Sequence, residues 1–346
     1  MVDDRAMLAT AVSAAVPATG PRISLRHWIA AAVLVGLGLV PILSSIVAQP
    51  FYVTLVSRMM IFALAAVALN LILGYGALVS LGHALYIGVG AYAVGILSFY
   101  GITNGFVHLA VALGAGLVIA FVTGLVCLRA SGVGFIMITL AFAQMFYFLA
   151  VSLKQYGGDD GYALPTRSDF GLLNLADNTV LYYVILATLV VILFLFHRLV
   201  NARFGMVLRG CKSNERRMRA LGFPTLKIKL IAYVISALVC VLAGMLLANL
   251  TRFVSPSYMQ WTVSGDILLM VVLGGVGTLI GPVIGAVVWL SLEELLTSLD
   301  LGLPWGIDEF IRSHWMALLG LFVVVVTLGL KQGLYGFLVA RDEARK

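Results

Sequence analysis

Charge is what this chain has least of. Charged residues make up 11% of its 346 positions, where a soluble domain averages about 25%. A chain this long would need far more polar surface to fold in water, so a soluble globular class is excluded. Cysteine is also scarce. Cys127 and Cys240 lie in apolar runs and Cys211 in a basic stretch, a spacing that supports neither a disulfide frame nor a metal site. All three read as small buried hydrophobes. Carboxylates and histidines deep in apolar runs are too few for a proton relay, which counts against an ion-coupled pump. No catalytic triad, zinc spacing or dinucleotide fingerprint occurs. Residues 205–213 come near to a phosphate loop, but Cys211 intrudes and an apolar helix stands where a strand is needed, so no nucleotide site is expected. The GGDDG run at 157–161 lacks the spaced oxygen ligands of a Ca²⁺ loop and reads as a polar turn. No cofactor or metal is expected.

What the chain has instead is oil. Hydrophobic residues make up 62% and mean hydropathy is +1.08, which marks an all-α integral membrane protein. Residues 1–27 form a polar, Ala-rich tail with Arg5, Arg22 and Arg26, made irregular by Pro17 and Pro21. Apolar runs follow at 28–49, 52–73, 84–99, 106–128, 133–153, 180–200, 231–250 and 314–330. The first run has 22 residues, longer than the ~7–15 of a signal-peptide core, so it reads as an uncleaved span. Small residues recur along the third run (Ala84, Gly88, Ala91, Gly95) and the fourth (Ala112, Gly116, Ala120, Gly124), each a seam for close helix packing. Arg58 reads as a snorkelling interfacial residue.

Positive charge is concentrated in residues 201–229. Eight Lys or Arg less one acid, Glu215, gives +7 there, equal to the net charge of the whole chain. Confined to one loop between apolar spans, this charge marks the cytoplasmic side rather than a nucleic-acid partner. Arg129 and both Arg-bearing tails join it inside. The net-acidic stretches 154–179 and 300–313 then fall outside. Six spans separate the amino-terminal tail from the basic stretch, so the parity agrees. Residues 266–299 are too few for two full spans of ~20 residues and a turn. Two short helices meeting at GGVGTLIGP are expected there, crossing or re-entrant. The count is about ten transmembrane or re-entrant helices with both termini cytoplasmic. The corresponding parts are a 1–27 tail, a 28–330 membrane domain and a 331–346 tail.

Two glycine-rich breaks, 74–83 and 274–282, interrupt the apolar runs. Free backbone survives in a membrane only where it is buried in protein or faces water, and transport pathways are often built this way. His83, at the start of an apolar helix, reads either as a pathway group or as a histidine hydrogen-bonded at the break. Asp266 is expected to open a helix after Gly265 as a cap, with a pathway role as the alternative. Glu293 and Glu294 read as interfacial. In the basic stretch, Ser213 is expected to cap a short helix that Gly222 ends and Pro224 stops. Met218, Leu221 and Phe223 give that helix an apolar edge. Such a helix fits a groove on a partner protein or an anionic lipid surface.

FGMVLRGCKSNERRMRALG at 204–222, with the following Lys229-Leu230-Ile231-Ala232-Tyr233, resembles the coupling loop of ABC-transporter permeases of the branched-chain amino acid type. LGYGALVSLGHALYIGVGAY at 73–92, GGDDG, LGGVGTLIGPVIGAVV at 273–288 and GLYG at 333–336 resemble further segments of the same family, in order, specifically its LivM-like half. Two departures stand out. Glu215 lies seven residues before Gly222 rather than six, and Arg216 and Arg217 occupy positions where small residues are usual. The resemblance implies a permease subunit of the bacterial inner membrane that is not itself an enzyme. Its partners would be a second, LivH-like permease, two cytoplasmic ATPases that hydrolyse the ATP, a periplasmic solute-binding protein, and lipid. It places coupling to the ATPase at Arg209, Glu215, Ala220 and Gly222. The translocation pathway is assigned to the breaks, around Ser80, Gly82, His83, Gly275 and Gly277. Branched-chain amino acids are the default solute. Urea, amides and small carboxylates use the same scaffold. An ion-coupled secondary transporter and a lipid-binding structural protein are the competing classes.

Overall fold

The computed structural model describes residues 25–47, 49, 51–171, 175–298, 314–329 and 333–336. The polar stretch expected at 300–313 and nearly all of both charged tails lie outside the described residues. Eleven α-helices follow in chain order among those described: α1 (Leu25–Val47), α2 (Phe51–Gly76), α3 (His83–Phe99), α4 (Gly105–Cys127), α5 (Val133–Ser152), α6 (Asn178–Asn201), α7 (Arg203–Ala220), α8 (Thr225–Thr251), α9 (Trp261–Gly274), α10 (Gly281–Ser298) and α11 (Trp315–Gly329). Among the described residues, six segments are long and apolar enough to cross a membrane. The molecule is therefore an all-α membrane protein. Its only described strands are two-residue pieces, β1 (Tyr162–Ala163) and β2 (Phe253–Val254).

The core is α2, α3 and α8. Each is apolar around its whole circumference, and such a helix has to be surrounded by protein or lipid. Here the surroundings are protein: α3 is buried from His83 to Gly95 without interruption. Glycines set how near α3 and α8 approach. A Cβ on Gly90 would strike the Val241 carbonyl of α8, and one on Gly244 would strike the Ile87 carbonyl of α3. The two helices thus press bare backbone on each other, from both sides. Small residues serve this purpose in membranes, where dispersion rather than exclusion of water drives association.

The seam on α4 packs as expected. Ala112, Gly116, Ala120 and Gly124 are all buried, with Gly116 against Val241 and Gly124 against Leu230 and Tyr233 of α8. The opposite faces of α4, α5, α6 and α11 expose Val118, Phe148, Phe194 and Leu328, each more than 60% accessible. Large side chains facing outward all round the bundle suit a lipid boundary.

The segment 266–299 does form two short helices on either side of a glycine-rich turn. The first begins earlier than expected, at Trp261. Asp266 is therefore in its second turn and caps nothing, because Gly265 is tolerated inside the helix and Ser255–Gln260 forms the entry turn. With 14 residues, α9 is about 21 Å long at ~1.5 Å per residue, short of a ~30 Å hydrocarbon layer. At the end of the bundle away from α7, the two long loops are stapled together. β1 pairs antiparallel with β2, Tyr162 opposite Val254. Ser168 donates its N–H to Asn249 Oδ1 (2.8 Å), and its hydroxyl meets His108 Nδ1 at 2.7 Å.

Candidate functional site

The basic stretch folds as α7, but not as one rod. Asn214 has φ −159° and ψ 98° and splits α7 into two pieces. The second piece is the short bounded helix expected from the sequence, with one correction: its cap is Asn214, whose Oδ1 accepts the Arg217 N–H at 2.9 Å. Ser213 stands one residue too early, because an N-cap side chain reaches the N–H two or three residues on. The other end is as expected. Gly222 has φ +86°, its N–H returns to Arg219 O (2.9 Å), and the Phe223 N–H returns to Met218 O (3.1 Å). This is a Schellman closure, which requires a left-handed residue where Gly222 stands. Pro224 then precedes α8.

Glu215 holds this short helix to α8. Its carboxylate accepts from Arg219 Nη2 (2.6 Å) and from Lys229 Nζ (2.5 Å) near the start of α8, and from the Thr225 hydroxyl (3.3 Å). Burial pushes the Glu215 carboxyl up. The hydrogen bonds and charges of Lys229 and Arg219 together outweigh that, so it lies below the ordinary carboxylate value. Arg209, Arg216, Arg217 and Ala220 are exposed, as are Met206 (63%), Leu221 (65%) and Phe223 (41%). The outer surface of α7 is thus basic with an apolar edge. Its inner surface buries Gly205, Leu208 and Cys211. Cys127, Cys211 and Cys240 are free and buried.

From α7 a direct link runs to the first break. Lys212 Nζ donates to Gly74 O at 2.8 Å, an ammonium on the last carbonyls of α2, where both the unpaired acceptors and the helix dipole favour it. α2 continues to Gly76, two residues past the expected break. It ends on Ala77 at φ +55°, whose N–H bonds back to Leu73 O (3.2 Å). One turn earlier, Asn70 reaches across to the second break. Its Nδ2 donates to Thr278 O (2.6 Å) and its Oδ1 accepts from Gly277 N (2.9 Å). Gly277, at φ +83°, lies against Gly74, and Gly333 of the GLYG segment lies against Gly275. The two breaks therefore meet at the α7 end, joined by a side chain the sequence reading passed over. The single side-chain amide of that run was the available signal.

Ser80, Gly82 and His83 form a second cluster. His83 is fully buried. Its Nδ1 meets Ser80 Oγ at 3.0 Å and its Nε2 meets Ser236 Oγ of α8 at 2.9 Å; Ser236 in turn donates to Ala68 O (2.5 Å). Tyr86 and Tyr233 pack edge-on around the ring and share a 2.9 Å hydrogen bond. Gly82 admits α5: a Cβ there would lie 2.6 Å from Thr139 O. Both ring nitrogens of His83 are thus occupied by serines, one at the break and one on α8.

At the opposite end of the bundle, Arg58 Nη2 lies 3.7 Å from Glu293 Oε1, beside a cavity between α2, α8, α9 and α10. None of Ser80, Gly82, His83, Gly275 or Gly277 lines that cavity. Among the described residues no group of three or more His, Cys, Asp or Glu could hold a metal ion.

A family model described as "Branched-chain amino acid transport system / permease component" matches residues 51–335. The chain is 26% identical over 345 residues to the high-affinity branched-chain amino acid transport system permease protein LivM of Escherichia coli (strain K12), covering 91% of this chain and 78% of that protein. To the protein of the same name in Salmonella typhimurium (strain LT2) it is 27% identical over 348 residues, with the same coverage. No solved structure matches significantly. The family match begins with α2 and ends at Tyr335 beside the second break, taking in the whole core, both breaks and α7. The chain belongs to the family of branched-chain amino acid transport permeases, membrane proteins that move solute rather than enzymes.

Proposed function

We propose that the chain is the LivM-like permease subunit of an ATP-driven, binding-protein-dependent importer of branched-chain amino acids in the bacterial inner membrane. Its partners are a second permease, two cytoplasmic ATPases that hydrolyse ATP, and a periplasmic binding protein. α7 lies in the cytoplasm, and ten helices (α1–α6 and α8–α11) sit in the membrane with both tails inside. Residues 1–27 and 331–346 are the tails, and 28–330 is the membrane domain.

The observation that carries this reading is the construction of α7. Its exposed side is basic and apolar, as a docking helix needs. Its inner side is tied by Lys212 to the end of α2 and by Glu215 to the start of α8, two of the three core helices. A pull on α7 by an ATPase therefore acts on the core directly. Arg209, Ala220 and Gly222 belong to the docking face, and Glu215 is the strut behind it. The breaks around Ser80, Gly82, His83, Gly275 and Gly277 close the inner end of the pathway, and their packing changes as the permease alternates between inward- and outward-facing states.

The competing secondary-transporter reading needs titratable groups that exchange protons along a path. His83 and His108 each have both ring nitrogens hydrogen-bonded, which favours a structural role. The test is reconstitution in proteoliposomes. Leucine uptake should need ATP, the ATPases and the binding protein together. Replacing Glu215 and Gly222 together should uncouple hydrolysis from uptake. Uptake by this chain alone under an ion gradient would overturn the proposal.

A further inference from the structure

The end of the bundle opposite α7 holds a cavity of about 430 Å³ between α2, α8, α9 and α10, within the ~300–1,000 Å³ typical of small-molecule sites. Its lining joins three charged side chains to apolar ones. Arg58 comes from α2, Asp266 from α9 and Glu293 from α10, with Gln260 at the edge and Met270 and Trp289 on the wall. The charges satisfy one another only in part. Arg58 and Glu293 approach only to 3.7 Å, and the guanidinium also lies 5.8 Å above the Phe62 ring. Asp266 makes no hydrogen bond or ion pair among the described residues, although it is only partly exposed and is the one charged residue of its helix.

An ionised side chain in a membrane bundle is costly and is kept where something pairs with it. This cavity offers one cation facing two carboxylates, with an apolar wall beside them. A ligand that complements it carries a carboxylate, an ammonium and an apolar body. We propose that the cavity is a subsite of the translocation pathway for a zwitterionic α-amino acid with an apolar side chain. Arg58 takes the carboxylate, Asp266 takes the ammonium, and Met270 and Trp289 face the side chain. Glu293 positions Arg58. This rests on the reading of the chain as an amino-acid importer and names where along the chain the amino acid stops. It also accounts for Asp266, a charge that neither snorkelling of Arg58 nor an interfacial place for Glu293 explains.

The test uses the assembled importer in proteoliposomes, with its binding protein saturated with leucine. Asp266→Asn and Arg58→Gln should each lower uptake at least ~10-fold, the scale of a lost charge-assisted hydrogen bond. ATP hydrolysis stimulated by the binding protein should stay within about twofold, because α7 is untouched. Glu293→Gln should cost less than either. On the wild type, 3-methylbutylamine and 4-methylpentanoate each carry half of the zwitterion. Both should slow uptake at high concentration, and Asp266→Asn should abolish the amine's effect while sparing the acid's. If a variant fails to assemble, the wild-type competition and Arg58→Lys decide the matter. Wild-type uptake with normal uptake in Asp266→Asn and Arg58→Gln would overturn the subsite and leave the importer standing. No leucine uptake by the wild-type assembly would overturn the importer reading itself.

Discussion

Glu215 and Asp266 are both carboxylates near the ends of helices, and they are treated in opposite ways. Glu215 is met by an arginine, a lysine and a hydroxyl, all within 3.3 Å. Asp266 is met by none among the described residues. The contrast extends to the surroundings of each. At the α7 end the exposed backbone of the two breaks is filled in by Asn70, Lys212 and closely packed glycines. At the other end Arg58 and Glu293 stop short of a hydrogen bond and a cavity stays open. A paired charge holds parts together, while an unpaired one in a cavity is available to something else. One end of the molecule is a joint and the other a receptacle, with α2 and α8 running between them.

The most severe disruption lies in the middle, where both ends depend on the contact of α3 with α8. Gly90→Leu should cost more than the ~1–3 kcal/mol of ordinary overpacking, because the obstacle is a carbonyl that cannot rotate away. Loss of the monodisperse protein on size exclusion in detergent is the expected outcome. Next comes the link itself. Lys212→Ala should lower ATP-driven uptake roughly 10-fold, the worth of a hydrogen bond to a charged group, with ATPase subunits still copurifying. Lys212→Arg should recover part of it. Uptake unchanged in Lys212→Ala would mean that α7 does not act through α2.

Gly222→Ala should destabilise the closure of the short helix by ~1–2 kcal/mol, because an alanine resists the left-handed backbone. Faster hydrogen exchange at 215–223, with α8 unchanged, would register it. Glu215→Gln should cost about 1 kcal/mol, since its partners are partly in water. Glu215 also sets a pH dependence. Its folded value lies below the ordinary 4.5, so its stabilisation is complete above that pH and fades as pH falls through the lower folded value. Exchange protection of 215–229 should therefore drop in acid in the wild type and not in Glu215→Gln. The smallest effect on stability, within ~0.5 kcal/mol, belongs to the exposed Arg217→Ala. It should nevertheless weaken ATPase binding, measured by titrating the ATPase into detergent-purified permease.

Periodic features were legible in the sequence. Every fourth position of Ala112, Gly116, Ala120 and Gly124 shares a helix face by geometry alone, and that face is buried. Gly222 was legible because few residues accept its backbone angle. The choice between Ser213 and Asn214 was not, since both cap helices and only the backbone angles decide. The start of α9 was not legible, because a glycine inside a helix looks the same in sequence as one before it. The partners of His83 and Asn70 could not be read at all. Ser236 lies 153 residues from His83, and Gly277 lies 207 from Asn70. No local pattern encodes a hydrogen bond over that separation.

That last distance has a consequence for how the protein is made. Asn70 enters the membrane on α2 with its amide unmatched, and the turn that accepts it is synthesised 207 residues later. At ~5–20 residues per second the wait is roughly 10–40 s. During that interval the nascent chain has to shelter a polar side chain inside its own half-built bundle or in the insertion machinery. The join between the two breaks is thus a late step of assembly, and it follows insertion of the helix that carries the second break.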